Sequence, residues 1–196
     1  MSLSIEAIGP ERLAEYASVP SVIDVESMFV VNENDRIAGQ SELHEQPVPV
    51  FYRKDYDSYG QGTPLDWPQR FDVSGWGFWL ASDFGEAVGG AAVARSTDGM
   101  DILDGRRDSA ALWDIRVRPA YQRHGVATAL FRAAARRAKS SGCSRLEIET
   151  QNVNVAACRF YAKMSCVLGR IDRLAYRQSP EIGDEVMLVW RFELSS

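Results

Sequence analysis

The chain has 196 residues, 45% hydrophobic and 25% charged, with 27 acidic side chains against 22 basic ones and a formal net charge of -5. That size and composition fit one globular domain with a sizeable core and argue against large-scale disorder, while the acidic balance argues against wholesale nucleic-acid binding and favours small cationic partners. No apolar run reaches the length of a membrane span and Met1 to Glu6 lacks the basic start and apolar block of a secretory signal, so the expected location is cytoplasmic, with no membrane partner.

The opening LSIEAIG alternates as a strand, and Pro10 is placed to open a short helix over PERLAEYASV. Residues 21–32 read equally as strand or helix. Residues 39–75 carry Pro47, Pro49, Pro64 and Pro68 together with the aromatics Phe51, Tyr52, Tyr56, Tyr59 and Trp67, and are expected to form a long irregular loop. Its rings suit either an acceptor lid or a hydrophobic plug over the sheet. GWGFWLAS and EAVGGAAVAR read as a hairpin joined by DFGE, with ALWDIRV the next strand.

A helix is expected from near Gly125 to Gly142, because Val126, Ala129, Leu130, Ala133, Ala134 and Ala138 recur at spacings of three and four. SRLEIETQ is then a strand, VNVAACRFYAKM a helix, and CVLGRIDRLAYR and DEVMLVWRFEL the final strands. Hairpins followed by strand–helix alternation predict an α/β (α+β) fold, with a mixed, mostly antiparallel central sheet and helices on both faces, spanning residues 1–196 as a single domain.

The Gly125 helix start leaves backbone N–H groups unpaired at the positive end of the helix dipole. Gly125 has no side chain and Ala127 only a methyl, so a bulky anion could reach the main chain there; a water-satisfied helix start is the alternative. Gln122-Arg123-His124-Gly125-Val126-Ala127 has the form Q/R-x-x-G-x-G/A, and Asn154-Val155-Ala156-Ala157-Cys158-Arg159-Phe160-Tyr161 has the form N-x-x-A-x-x-F-Y. In order, spacing and placement at two helix starts, this pair resembles the GNAT superfamily of acetyl-CoA-dependent N-acetyltransferases, over roughly residues 76–194. YRKDY at 52–56, LEIETQNVNVAACRFYAK at 146–163 and IDRLAYR at 171–177 are similar to the streptothricin acetyltransferases, a branch that acetylates the β-lysine amine of a cationic antibiotic. The chain departs from those relatives at Ser165 and Cys166, where glycine and phenylalanine are usual. A P-loop would need a lysine before Thr128, and a dinucleotide fold would need glycines where Arg118, Pro119 and Ala120 stand.

The resemblance implies acetyl-CoA as cofactor and coenzyme A as product. It assigns the diphosphate to main-chain N–H groups of Arg123, His124, Gly125, Val126, Ala127 and Thr128 beside Gln122, and the acetyl carbonyl to the strand of Ile115 and Val117. The pantetheine arm goes to Asn154 and Ala157, although Asn154 also suits a helix cap. Tyr161 would protonate the departing thiolate, or pack beside Phe160. An acceptor amine with a pKa near ~10 must shed a proton, and a carboxylate within a sheet covered on both faces is costly unless paired or used. Asp114, alternating with Trp113, Ile115 and Val117, and Glu149 are the candidate bases; an ion pair, Asp114 with a neighbouring arginine, is the alternative use.

Cys158 reads as a small buried side chain, so direct attack by the amine is expected. Three cysteines and two histidines show neither a disulfide framework nor metal-ligand spacing, so no metal is expected. The acceptor is expected to be a small cationic amine, with Tyr52, Asp55, Tyr56, Asp57, Glu149 and Asp172 at or near its mouth, in a monomer or homodimer. Protein N-terminal or polyamine acetylation, or a non-catalytic acetyl-CoA-sensing module, are the competing functions.

Overall fold

The alternating start of the chain folds as strand β1, Leu3–Ile8, and Pro10 opens a 3₁₀ turn into helix α1, Leu13–Ala17, in the computed structural model of the protein. Strands β2 (Val22–Val30) and β3 (His44–Asp55), helix α2 (Trp67–Arg70) and strands β4 (Gly77–Asp83), β5 (Glu86–Ala94) and β6 (Ser109–Val117) follow. Helix α3 (Val126–Ser140), strand β7 (Arg145–Gln151), helix α4 (Val155–Lys163) and strands β8 (Val167–Asp172) and β9 (Met187–Glu193) complete it. The structure describes residues 2–31, 43–58, 62–95, 97 and 100–194. The chain divides into two units, Met1–Val22, Asp55–Leu146 and Leu194–Ser196 making the first, and Ile23–Lys54 and Glu147–Glu193 the second.

In the first unit the strands run β1-β4-β5-β6, each antiparallel to the next. The β4–β5 turn places both central residues, Phe84 and Gly85, at positive φ, which matches the twist of the strands it joins. Adjacent glycines of β5 bring helices onto opposite faces of this sheet. A Cβ on Gly89 would lie 3.1 Å from Val126 and 3.2 Å from Leu130 of α3, and one on Gly90 would lie 2.6 Å from the Tyr16 ring of α1. On the Tyr16 side, Leu13, Trp67, Trp76, Phe78, Leu80 and Met100 build an aromatic-rich core. Trp67 stacks on Phe78 at 6.3 Å and meets Tyr16 edge-on at 5.6 Å.

In the second unit the strand order is β7-β9-β8, with β8 antiparallel to β9, and β2 and β3 form a separate two-stranded sheet. Buried Asn152 joins β2 to the approach of β9. Its amide donates to the Phe29 carbonyl at 3.0 Å, and its side-chain oxygen accepts from Val186 N–H at 2.9 Å. Lys54 of β3 and Glu185 form a buried ion pair in the same unit. Burial pulls the Lys54 ammonium below its ordinary range and pushes the Glu185 carboxyl above its own, each partner opposing the shift of the other.

These elements match the expected mixed, mostly antiparallel α/β class, with corrections at residues 44–55 and in β6, and they decide two readings that the sequence leaves open. Residues 44–55, expected to be irregular, are strand β3: Pro47 and Pro49 lie two apart, so both present their missing N–H to one edge, and each strand of a two-stranded sheet has an edge to spare. Residues 22–30, ambiguous in sequence, are strand, and Trp67 is a core plug rather than part of a lid. A bulge at Trp113 breaks the alternation read from ALWDIRV. Leu112 sits opposite Val93 and Asp114 opposite Ala92, so Leu112 and Asp114 face opposite sides of the sheet. Residues 39–42 and 59–61 of the expected loop, Tyr59 included, lie outside the described residues. Among the described residues no helix is long and apolar enough to cross a membrane.

Candidate active site

In the first unit, the turn before α3 carries two left-handed residues, Arg123 at φ 64° and Gly125 at φ 85°, and Gly125 is the N-cap. The Ala129 N–H closes onto the Gly125 carbonyl at 3.0 Å, so the N–H groups of residues 126–128 precede the first intrahelical bond and point out of the helix start. Residues 122–125 are exposed, and a Cβ on Gly125 would meet no protein atom within 4 Å. The donors are therefore approachable from solvent, as a diphosphate requires. His124 Nδ1 lies 2.8 Å from the Gln122 carbonyl, which ties its ring into the turn, and Gln122 reaches back to the Val117 carbonyl at 3.4 Å. Ile115 and Val117 lie opposite Ala91 and Gly89.

Asp114 is the centre of a hydrogen-bonded cluster in the same unit. Its Oδ2 accepts from the Tyr16 hydroxyl at 2.6 Å and from Arg116 Nε at 2.8 Å, and Arg116 Nη2 reaches Oδ1 at 3.2 Å. Arg116 also donates to Asp57 Oδ2 at 3.0 Å and to the Val19 carbonyl at 3.1 Å. The arginine is buried, which disfavours its charge, but the Asp114 charge and hydrogen bonds, with Tyr16 and Asp57, outweigh that and hold it protonated. Burial, then the Asp114 charge, raises the Tyr16 phenol well above its ordinary range, so it acts as a neutral donor. Every polar atom of Asp114 is thus engaged by the protein.

Glu149, in the second unit, is held differently. Its side chain is exposed, and Oε1 accepts from the Tyr176 hydroxyl at 2.7 Å. The surrounding protein raises its carboxyl pKa by desolvation, with the Tyr176 hydrogen bond and the Arg170 charge pulling the other way. Tyr161, on α4, is buried with its ring centroid 5.5 Å from Phe160 and 6.4 Å from Trp190. Asn154 caps α4, its Oδ1 accepting from the Ala157 N–H at 3.1 Å. Cys158 is buried and its thiol is pushed up to about 12 by that burial, which leaves no thiolate to attack an acetyl group.

The acidic residues expected at the acceptor mouth are mostly committed to local structure. Asp55 accepts from Asp57 N–H and the Ser58 hydroxyl at 3.0 Å each, and Asp57 is a counter-ion of Arg116. Asp172 accepts from Leu174 N–H at 2.9 Å and starts the turn after β8. Tyr52, on β3, is 39% exposed and Tyr56 starts a 3₁₀ turn. Asp55, Tyr56 and Asp57 belong to the first unit, Tyr52, Glu149 and Asp172 to the second. The neighbouring arginine named as the alternative partner of Asp114 is Arg116, two places away on the same face of β6. Sequence reasoning passed over Tyr16, Gln151 and Tyr176; Tyr176 stood inside IDRLAYR, but nothing local in that stretch named Glu149 as its partner.

The family model described as Acetyltransferase (GNAT) family matches residues 40–165. A streptothricin acetyltransferase from Escherichia coli is 30% identical over 185 residues, covering 92% of this chain and 91% of that protein. Streptothricin acetyltransferase A from Bacillus subtilis (strain 168) is 36% identical over 84 residues, 43% of this chain and 48% of that protein. The fold superposes, with a TM-score of 0.75 and 24% identity, on a Bacillus anthracis (strain Ames) protein assigned as a streptothricin acetyltransferase and crystallised with acetyl coenzyme A, covering 98% of this chain and 99% of that one.

Proposed function

The chain belongs to the acetyltransferase (GNAT) family, and from that premise we propose that it transfers acetyl from acetyl-CoA to a primary amine of streptothricin, a small cationic acceptor. The observation that carries this reading is the correspondence with the Escherichia coli streptothricin acetyltransferase across 92% of the chain. Acetyl-CoA supplies an acetyl group activated as a thioester. The whole chain is proposed to act as one acetyltransferase domain, in the cytoplasm.

The chain's own residues divide the work as follows. The outward N–H groups of residues 126–128 and the left-handed turn at Arg123 and Gly125 suit a diphosphate, with Gln122 and His124 in the same turn, and the strand of Ile115 and Val117 is assigned to the acetyl carbonyl. The Asn154 amide and Ala157 are assigned to the pantetheine arm. Glu149 Oε1 or Oε2 takes the proton that the acceptor ammonium must lose, and its raised pKa brings it closer in basicity to that task. The Tyr161 hydroxyl holds the proton that the departing sulfur needs. Of the two candidate bases we favour Glu149, because Asp114 is already bound by Tyr16 and a buried arginine and serves to orient that cluster.

The test is coenzyme A release by the purified protein across streptothricin, a polyamine and an N-terminal peptide, with mass spectrometry of the product. One added acetyl on the β-lysine amine is expected. If streptothricin is left unmodified while the peptide or polyamine is acetylated, the acceptor assignment falls and the family assignment stands. Glu149→Gln should suppress the rate at neutral pH and recover partly at high pH, where the amine deprotonates unaided; Asp114→Asn behaving so instead would exchange their roles.

A further inference from the structure

Glu149 and Gln151 lie two residues apart on β7, so their side chains leave the strand on the same face. One hydroxyl bridges them. Gln151 Nε2 donates to the Tyr176 oxygen at 2.9 Å, and Tyr176 donates to Glu149 Oε1 at 2.7 Å. A phenol has a single proton, so a donor occupying one of its lone pairs favours turning that proton toward the carboxylate.

Tyr176 is itself held in place. It sits between β8 and β9 on a segment built of successive turns: Leu174 N–H to Asp172 Oδ1 at 2.9 Å, Arg177 N–H to the Leu174 carbonyl at 3.1 Å, and Ser179 N–H to the Tyr176 carbonyl at 2.8 Å. A Cβ on Gly183 would lie 2.9 Å from the Ser179 carbonyl, so the segment folds tightly back on itself. Its far end is anchored by the buried Lys54–Glu185 pair.

We infer that Tyr176 is a positioning residue for proton removal, its hydroxyl, aimed by Gln151, fixing the orientation and basicity of the Glu149 carboxylate. This rests on Glu149 being the base. Among the described residues of the unit the charge that bears on Glu149 is Arg170 of β8; Glu147, on the same face of β7, is matched by Arg191 of β9 at 3.1 Å. Tyr176 is thus the uncharged control on this carboxylate. Its hydrogen bond stabilises the ionised form, so its loss must raise the Glu149 pKa.

The experiment is a ¹³C-carboxyl NMR titration of glutamate-labelled protein, the Glu149 signal being assigned by its absence in Glu149→Gln. It needs no acceptor. Tyr176→Phe should move the Glu149 midpoint upward by about half a unit to one unit, less than a buried hydrogen bond to a charged group is worth because water partly replaces it at this exposed carboxylate. Gln151→Leu, which keeps the phenol but lets its proton turn away, should move it the same way by less, and stands in if Tyr176→Phe fails to fold. With streptothricin and acetyl-CoA, the acid limb of kcat/KM should move with the NMR midpoint, so that the rate falls about 3- to 10-fold below the midpoint and recovers at alkaline pH. The acceptor's own titration is common to all variants and cancels from the comparison. A midpoint that stays put in both variants, or a rate loss equal at every pH, overturns the positioning role. An acid limb that persists unchanged in Glu149→Gln overturns the base reading beneath it.

Discussion

Replacing Gly125 by alanine separates two demands that meet at the start of α3. The residue has φ 85° and ψ -3°, and a Cβ there would touch no protein atom within 4 Å, so the variant suffers no internal clash. Its folding cost is the left-handed backbone alone, about 1–2 kcal/mol, or a drop in Tm of roughly 2–8 °C for a chain of this length. The added methyl enters the open side from which an anion would approach the N–H groups of residues 126–128. Losing one charge-assisted hydrogen bond there is worth about 1.5–3 kcal/mol, a ten- to hundredfold rise in the acetyl-CoA Kd. Gly125→Asn tolerates the left-handed conformation better, so it should recover much of the Tm while still losing affinity, and Gly125→Val should lose most of both. Calorimetric titration with acetyl-CoA alongside thermal melts reads the two effects apart. A Tm that drops while the Kd stays at the wild-type value would refute the diphosphate assignment.

Tyr161→Phe should lower turnover by about 10²-fold with little change in acetyl-CoA affinity, and a near wild-type rate would leave the ring to packing between Phe160 and Trp190. Arg116→Met strips the cation from Asp114 and Asp57 and should cost about 3–5 kcal/mol in urea denaturation, whereas a loss under about 1 kcal/mol would mean the carboxylates do not depend on it. Because desolvation raises the folded-state pKa of Glu149, its ionisation destabilises the fold, a penalty absent below the unfolded pKa and fully present above the folded one. Glu149→Gln should therefore melt above wild type at about pH 8 and level with it near pH 4; a lower Tm at the higher pH would contradict the raised pKa.

What could be read from the sequence was whatever repeats within a few residues. The three-and-four stripe of Val126, Leu130 and Ala134, stopped by Gly142, located α3, and Asn154 three places before Ala157 located the cap of α4. Strand β3 was missed because prolines weigh against a strand until the sheet is known to have only two members. The face of Asp114 was obscured by one inserted residue, Trp113, since a bulge depends on the partner strand and leaves no mark on its own sequence. Several partners that hold these carboxylates are long-range: Tyr16 is 98 residues from Asp114, Arg116 is 59 from Asp57, and Tyr176 is 27 from Glu149. A single sequence shows that a carboxylate in a covered sheet needs a partner. It points to a near neighbour such as Arg116, and does not show which distant residue arrives.

The two glycines at the middle of β5 make the sheet a shared datum for parts that pack on its opposite faces. Val126, the first residue of α3, rests against position 89, and the ring whose hydroxyl grips Asp114 rests against position 90 from the other side. Any excursion of that dipeptide carries both attachments in the same direction, so their offset is far less sensitive to breathing of the strand than either position taken alone. Registration between the Gly125 turn and the Asp114 cluster is thereby referred to a single peptide unit. A side chain at either position would interpose a spacer on one side only and convert a common displacement into a relative one.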